Sequence, residues 1–278
     1  MYQIKKETSN INMNVYQTWK TYNLPLDFQT YHASWSYMFD TSLYNDDDVV
    51  HMINVYCNDG RQMCDILNKL TTIQIIDFWR YVAIHKFGGL YVDIDIGVKN
   101  PFYIHEQIKN CNLILFKESP SFSHEPFKFF IHSITYFSGL KSHARFQQLR
   151  QSIFYAEANH PFLKTLVYSI VHSNIKYFEE NFNEPLLTFE LTGPGLFTDK
   201  ARAFLGNKDT CIVEYNDGLE ILDYHHYGTW KSKSSLISKN VIILSSILIN
   251  VCLFCILFFK INRIKNMFIC FQNMDNFV

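Results

Sequence analysis

The sequence predicts an α/β domain followed by one membrane-spanning helix, and three observations carry that prediction. Strand-like and helix-like periodicities alternate between Asn14 and Ile175, the pattern of chains whose helices flank a sheet. The 278 residues are 48% hydrophobic and 17% aromatic, enough to bury a substantial core and too apolar for disorder. The run Val241–Phe259, VIILSSILINVCLFCILFF, contains no charged residue. As a helix it would extend about 28 Å, close to a bilayer's hydrocarbon thickness.

The elements follow in order. Asn14–Trp19 (NVYQTW) is expected to form a first strand running into a loop. Asp46 and Asp48 in NDDDVV are expected to lie in a solvated turn. Apolar residues at Ile66, Leu70, Ile73, Ile76, Trp79 and Val82 recur every three or four positions, predicting a helix over 66–86 that Gly88-Gly89 ends. Leu90–Ile96 changes to a period of two, a strand signal that puts Asp93 and Asp95 on one face and Val92, Ile94 and Ile96 on the other. Leu113–Phe116 predicts another strand, and Phe162–Ile175 a helix after His160-Pro161, with His160 positional rather than catalytic. No repeat or low-complexity linker interrupts residues 1–235, which are taken as one domain. Residues 236–240 are juxtamembrane, 241–259 span, and 260–278 form a short polar, basic tail.

The 25 basic and 26 acidic side chains nearly cancel, to a net charge of −1, which excludes the clustered positive charge of a nucleic-acid binder. Lys231, Lys233 and Lys239 before the span balance Lys260, Arg263 and Lys265 after it, so basic residues do not set its orientation. The N-terminus has no apolar signal region, and no Asn begins a glycosylation sequon. Cys57, Cys64, Cys111 and Cys211 suggest no disulfide framework. These features favour a domain facing the cytosol, with an endomembrane lumen as the alternative.

The chemistry concentrates in DFWRYVAIHKFGGLYVDID, residues 77–95. Two carboxylates on one face repel each other, and a divalent cation between them resolves the conflict with hard oxygen ligands. Asp77 and Arg80 share a helix face, and the turn at Gly88-Gly89 brings that face toward the acidic end of the strand. An Asp-x-Asp pair by itself is a weak signal. The surrounding residues make it specific.

The run D-x-x-R-Y, then G-G-x-Y-x-D-x-D, is Asp77, Arg80, Tyr81, Gly88, Gly89, Tyr91, Asp93 and Asp95. It resembles the glycosyltransferases with the sugar-binding DXD motif, a family that includes fungal initiating mannosyltransferases, inositolphosphoceramide mannosyltransferases and α1,4-galactosyltransferases. Weaker likenesses extend over most of 14–231. Tyr16–Lys20 (YQTWK) is similar to the family's I-H-Q-T-W-K, with Tyr16 for His. Ala156–Leu163 resembles its segment ending in His-Pro-Phe, and Thr192–Gly195 its T-G-P loop. His225–Trp230 (HHYGTW) resembles its closing His…Ser-Trp element, with Thr for Ser and compressed spacing.

The resemblance implies a GT-A-type fold, a Rossmann-like mixed sheet flanked by helices. It also implies a nucleotide-sugar donor, Mn²⁺ or Mg²⁺, and transfer with retention of configuration. Carried onto this sequence, it makes Asp77, Arg80, Asp93 and Asp95 catalytic. It places Trp19, Asp77, Arg80, Tyr91, Asp93, Gly195 and Trp230 in the donor site. It gives Asp93, Asp95 and one of His225 and His226 to the metal. For Trp19 a plain core role stands beside base stacking, for the histidines a surface role, for Thr192–Gly195 a mere turn, and for Asp77–Arg80 a structural ion pair compatible with sugar binding. The expected activity is transfer of a hexose from GDP-mannose or a UDP-hexose to a glycan or lipid acceptor, with inositolphosphoceramide suggested by the C-terminal span. A catalytically degenerate binding or scaffold subunit is the alternative, and a phosphohydrolase built on Asp93 and Asp95 fails to explain Arg80 and the glycines.

Overall fold

The computed structural model describes residues 13–57, 65–118, 148–182 and 184–224. Among these residues no helix is long and apolar enough to cross a membrane. The predicted span 241–259, its flanks, His225, His226 and Trp230 lie outside the described residues.

Six strands form a mixed sheet in the order β2-β1-β3-β6-β5-β7. They are β1 (Asn14–Thr18), β2 (Asp40–Tyr44), β3 (Gly89–Val92), β5 (Leu113–Lys117), β6 (Leu149–Ala156) and β7 (Thr210–Val213). β2, β1 and β3 run parallel, β6 is antiparallel to both β3 and β5, and β5 and β7 are parallel. β4 (Ile96–Val98) and β8 (Leu222–Tyr224) make a separate antiparallel pair, with Ile96 opposite Tyr224.

Side chains alternate between two cores because each central strand is covered on both faces. Tyr91, Leu113, Leu115 and Phe154 face one core, and Leu90, Val92, Ile114 and Ile153 face the other. The first core packs under α2 (Asp46–Cys57), α3 (Thr72–Phe87), α5 (Pro161–Val171), α7 (Glu184–Leu191) and α8 (Pro194–Ala201). The second packs under α1 (Leu26–Ser36), α4 (Pro101–Asn110) and α9 (Tyr215–Ile221). The layers are helix, sheet, helix, an α/β fold.

Three predicted boundaries are corrected. The helix expected over 66–86 begins at Thr72, because Thr71 is extended and forms a reciprocal capping box with Gln74. The helix expected over 162–175 stops at Val171, and α6 (Ile175–Asn181) starts anew behind an Asn174 cap. The strand expected over 90–96 ends at Val92: Ile96 N–H turns back to Asp93 C=O at 3.1 Å, so Asp93 and Asp95 occupy a turn rather than one strand face. His160 is positional as expected, since its Nδ1 accepts from Phe162 N–H at the start of α5.

Two other expectations change. Asp46 and Asp48 do not form a free turn: Asn45 and Asp48 cap α2 reciprocally, with Asp48 N–H donating to Asn45 Oδ1 at 2.8 Å and Asn45 N–H to Asp48 Oδ2 at 2.9 Å. The structure also joins Cys111 to Cys211 in a disulfide that ties the start of β5 to β7, with Cα atoms 5.8 Å apart across 100 residues of sequence.

Candidate active site

The site is set by the hairpin of α3 against β3. Gly88 ends α3 with φ +66°, and Gly89 follows at φ +117°, values L side chains rarely adopt. A Cβ on Gly89 would stand 2.6 Å from Asn14 C=O in the neighbouring strand. From Gly88 the helix returns about 1.5 Å per residue and the strand advances about 3.3 Å, so Arg80 and Asp93 reach the same level. There Arg80 Nη1 lies 3.2 Å from Asp93 Oδ1 and Nη2 lies 3.0 Å from Asp77 Oδ1.

This end of the site is buried and densely paired. Asp77 is 3% and Arg80 4% exposed. Asp77 Oδ1 also accepts from Gln151 Nε2 at 3.0 Å, and its Oδ2 accepts from Thr192 Oγ1 at 3.1 Å. Arg80 donates to Gln151 C=O at 3.2 Å and lies 4.4 Å from the centre of the Tyr91 ring. Tyr91 donates its hydroxyl to Asp93 Oδ1 at 2.7 Å, and the single hydroxyl hydrogen of Tyr81 is shared between the Gln151 carboxamide oxygen and Thr192 C=O. Burial pushes the Asp77 carboxyl up to about 7 against the opposing pull of Arg80, Thr192 and Gln151. For Arg80, desolvation is outweighed by Tyr91, Asp93 and Asp77, and its pKa is raised. The two directions disagree about the pair: one favours a neutral acid, the other a charged partner. The upward shift of Asp77 reflects the water it has lost, and the three donors converging on it suit the ionised carboxylate that forms as pH rises past about 7.

The acidic turn is clamped from both sides. Asp93 N–H donates to Ser152 C=O at 2.7 Å, and Trp35 Nε1 donates to Ile96 C=O at 2.8 Å. Ile94 is buried while Asp93 and Asp95 are half-buried, so the alternation expected of a strand survives within the turn. Asp93 Oδ1 is occupied by Arg80 and Tyr91, and its Oδ2 takes no hydrogen bond from the described residues. Hard oxygen donors of this kind fit Mg²⁺ or Mn²⁺. Among the described residues no third His, Cys, Asp or Glu joins the pair, so further ligands would come from the donor's phosphates, from water, or from residues outside them. Tyr224, opposite Ile96, brings the chain beside this turn just before His225.

A cavity of about 200 Å³ collects these groups. Asp77, Arg80, Asp93, Asp95 and Trp19 line it, together with Thr18, Lys20, Phe28, Asp46, Ile73, Ile76, Ile94, Gln151, Thr188 and Pro194. Trp19 is half-buried, edge-on to Phe28 at 4.8 Å, with Lys20 Nζ 5.8 Å from its ring. Tyr91 stands behind the cavity rather than in its wall. Gly195 is also behind it, packed so closely on Phe189 that a Cβ would meet the ring at 2.6 Å. Of the T-G-P segment it is Pro194 that reaches the cavity, while Thr192 holds Asp77. Tyr16, where the family pattern has His, is a core residue stacked with Tyr44 and Phe87. Sequence reasoning missed Asp46, Gln151 and Thr188. Lys20 was legible only as a neighbour of Trp19, and Gln151 carried no local signal at all.

The cavity thus lies at the carboxyl edge of the parallel strands and joins an acidic pair to a buried Asp–Arg pair. Residues 9–115, under half of the chain, match the family model "Glycosyltransferase sugar-binding region containing DXD motif". No curated protein sequence matches the chain. Among solved structures, the PaToxG glycosyltransferase is similar at 13% identity and a TM-score of 0.45, with 70% of each chain covered. The ligand-free glycosyltransferase domain of the YGT toxin is similar at 11% identity and 0.39, covering 72% of this chain and 79% of that one. Its UDP-bound form is similar at 9% identity and 0.38, covering 81% and 83%.

Proposed function

We propose that the chain is a membrane-anchored, metal-dependent, retaining glycosyltransferase that moves a hexose from a nucleotide-sugar to a glycan or lipid acceptor. The observation that carries this reading is the convergence in one cavity of Asp93 and Asp95 with the Asp77–Arg80 pair. Asp93 and Asp95 would hold the divalent ion, and His225 or His226 would complete its shell. Tyr224 standing opposite Ile96 supports that last ligand. When bound there, such an ion would supply Lewis-acid stabilisation to a departing diphosphate. Arg80 adds a fixed positive charge beside the leaving group, and Asp77 accepts hydroxyl hydrogen bonds from the donor sugar while countering positive character at its anomeric carbon. Gln151 and Thr192 keep Asp77 in place, Trp19 stacks on the base, and Trp230 closes over the diphosphate. Tyr16 lies in the core away from this chemistry, so its departure from the family pattern does not favour a degenerate subunit.

The span 241–259 supplies the anchor, and the acceptor on this reading is lipid-linked, inositolphosphoceramide being one such lipid. The Cys111–Cys211 pair favours an oxidising compartment, so we place the domain on the luminal side of an endomembrane rather than in the cytosol. Protease treatment of sealed membranes checks this: residues 1–235 should be protected, and their digestion would return the domain to the cytosol. The activity itself is tested by incubating the purified chain with GDP- and UDP-hexoses and Mn²⁺, and measuring released nucleoside diphosphate. No release from any donor would remove the enzyme reading.

A further inference from the structure

We propose that Arg150 is a positioning residue of the metal site, acting through Tyr224, an inference that rests on the metal-dependent reading above. Three consecutive residues of β6 each grip a different part of the site. Ser152 C=O accepts from Asp93 N–H at 2.7 Å. Gln151 C=O accepts from Arg80 at 3.2 Å, and the Gln151 amide donates to Asp77 at 3.0 Å. Arg150 reaches the third part, the strand β8. Its guanidinium carbon lies 4.0 Å from the centre of the Tyr224 ring and 5.8 Å from that of Tyr215, while its Nε donates to Lys117 C=O at 3.3 Å. Arg150 is 6% exposed, so the contact is made away from water, where a cation on an aromatic face counts most.

β8 needs such a grip. Among the described residues it pairs with the three-residue β4 alone and is itself three residues long, and a two-stranded ribbon of that size is barely stable by itself. On the β4 side, Trp35 Nε1 holds Ile96 C=O, and Ser34 Oγ accepts from Val98 N–H at 3.0 Å. On the β8 side, Leu222 is fully buried opposite Val98. Tyr224 lies at the other end, opposite Ile96, the residue directly after Asp95. Between them, Asp223 and Lys99 form a half-exposed ion pair of 3.6 Å, which adds little. Arg150 therefore secures the end of the ribbon nearest the acidic turn. From Tyr224 the chain passes directly to His225, which the reading above offers to the ion. A residue that orders the ligands without touching the ion leaves less ordering to be done on binding, and loss of such a support weakens metal binding about 10–100-fold.

The test is titration of the 278-residue chain with Mn²⁺ alone, reading free Mn²⁺ by electron paramagnetic resonance. Arg150→Met should weaken binding about tenfold. Tyr224→Leu, which removes the ring and leaves the arginine, should do the same, and it guards against a folding defect in the first variant. The two together should lose no more than about threefold beyond either alone, since a single contact is being removed. Leu166→Ala, in the core on the opposite face of the sheet, should lower the urea midpoint and leave Mn²⁺ affinity within about twofold. Arg150→Met within about twofold of the parent, two losses that multiply to about a hundredfold, or an equal loss in Leu166→Ala would overturn the role of Arg150 and leave the metal reading standing. A parent chain that binds Mn²⁺ no better than the variant carrying both Asp93→Ala and Asp95→Ala would overturn both.

Discussion

The two ends of the cavity are built on opposite plans. At the α3–β3 end, Asp77, Arg80, Tyr81, Tyr91, Gln151 and Thr192 hold one another in a buried network in which both carboxylate oxygens of Asp77 and both terminal nitrogens of Arg80 are paired, although Arg80 Nε meets no partner among the described residues. At the β1–β2 end, Trp19 and Asp46 are half-buried and their neighbour Tyr22 is 60% exposed. A network so densely paired is pre-organised and costs little rearrangement when charge develops. An end open to solvent depends on its ligand to complete it. The first plan suits a reacting centre, and the second suits a recognition surface.

The largest effect should come from the acidic turn. Replacing Asp93 and Asp95 together by alanine is expected to lower donor turnover roughly a thousandfold or more, the scale of a lost Lewis acid, in a steady-state assay of nucleoside diphosphate release. Turnover within tenfold of the parent would separate the turn from the chemistry. Next, Arg80→Met leaves Asp77 and Asp93 without their shared cation. Breaking a buried pair in this way costs about 3–5 kcal/mol, to be read as a lower midpoint in urea unfolding. A midpoint unchanged from the parent would mean that the network is not structural.

Trp19→Ala sharpens the contrast from the other end. Base stacking is worth about 1–3 kcal/mol, so nucleotide affinity should fall at least about fivefold while the urea midpoint moves little. A large loss of stability with unaltered nucleotide affinity would make Trp19 plain core. The smallest effect concerns pH. Because burial raises the Asp77 pKa from 3.8 to about 7, the folded chain holds this proton more tightly than the unfolded chain does. Its contribution to stability is therefore complete below pH 3.8 and lost as pH rises through about 7. In the metal-free chain Asp77→Asn should flatten that part of the profile of thermal midpoint against pH, and an identical slope in both proteins would contradict it.

The same contrast explains what the sequence disclosed. The α3–β3 end was legible because its residues are close in the chain and each is constrained: the helix face fixes Asp77 and Arg80, the glycines fix the return, and Asp93 follows. Even there, the turn at Asp93–Asp95 was hidden, since burial alternates in a turn clamped by Ser152 and Trp35 much as it does in a strand. Partners drawn from far away left no pattern. Gln151 reaches Asp77 across 74 residues and Thr192 across 115, and Cys111 meets Cys211 across 100. Asp46 was misread for a different reason, because three consecutive acids look like a solvated turn until β1 and β2 set their ends side by side. The alternation of elements did predict the α/β layers, since both faces of the sheet are covered.

The most direct measurement is anomalous diffraction from crystals of the chain grown with Mn²⁺ and GDP. The account predicts manganese bound by carboxylate oxygens of both Asp93 and Asp95 at about 2.1 Å, as hard octahedral ions are held. It also predicts the diphosphate on that ion and the base against Trp19. Manganese bound elsewhere, or a nucleotide lying outside the cavity between β2 and α3, would contradict it.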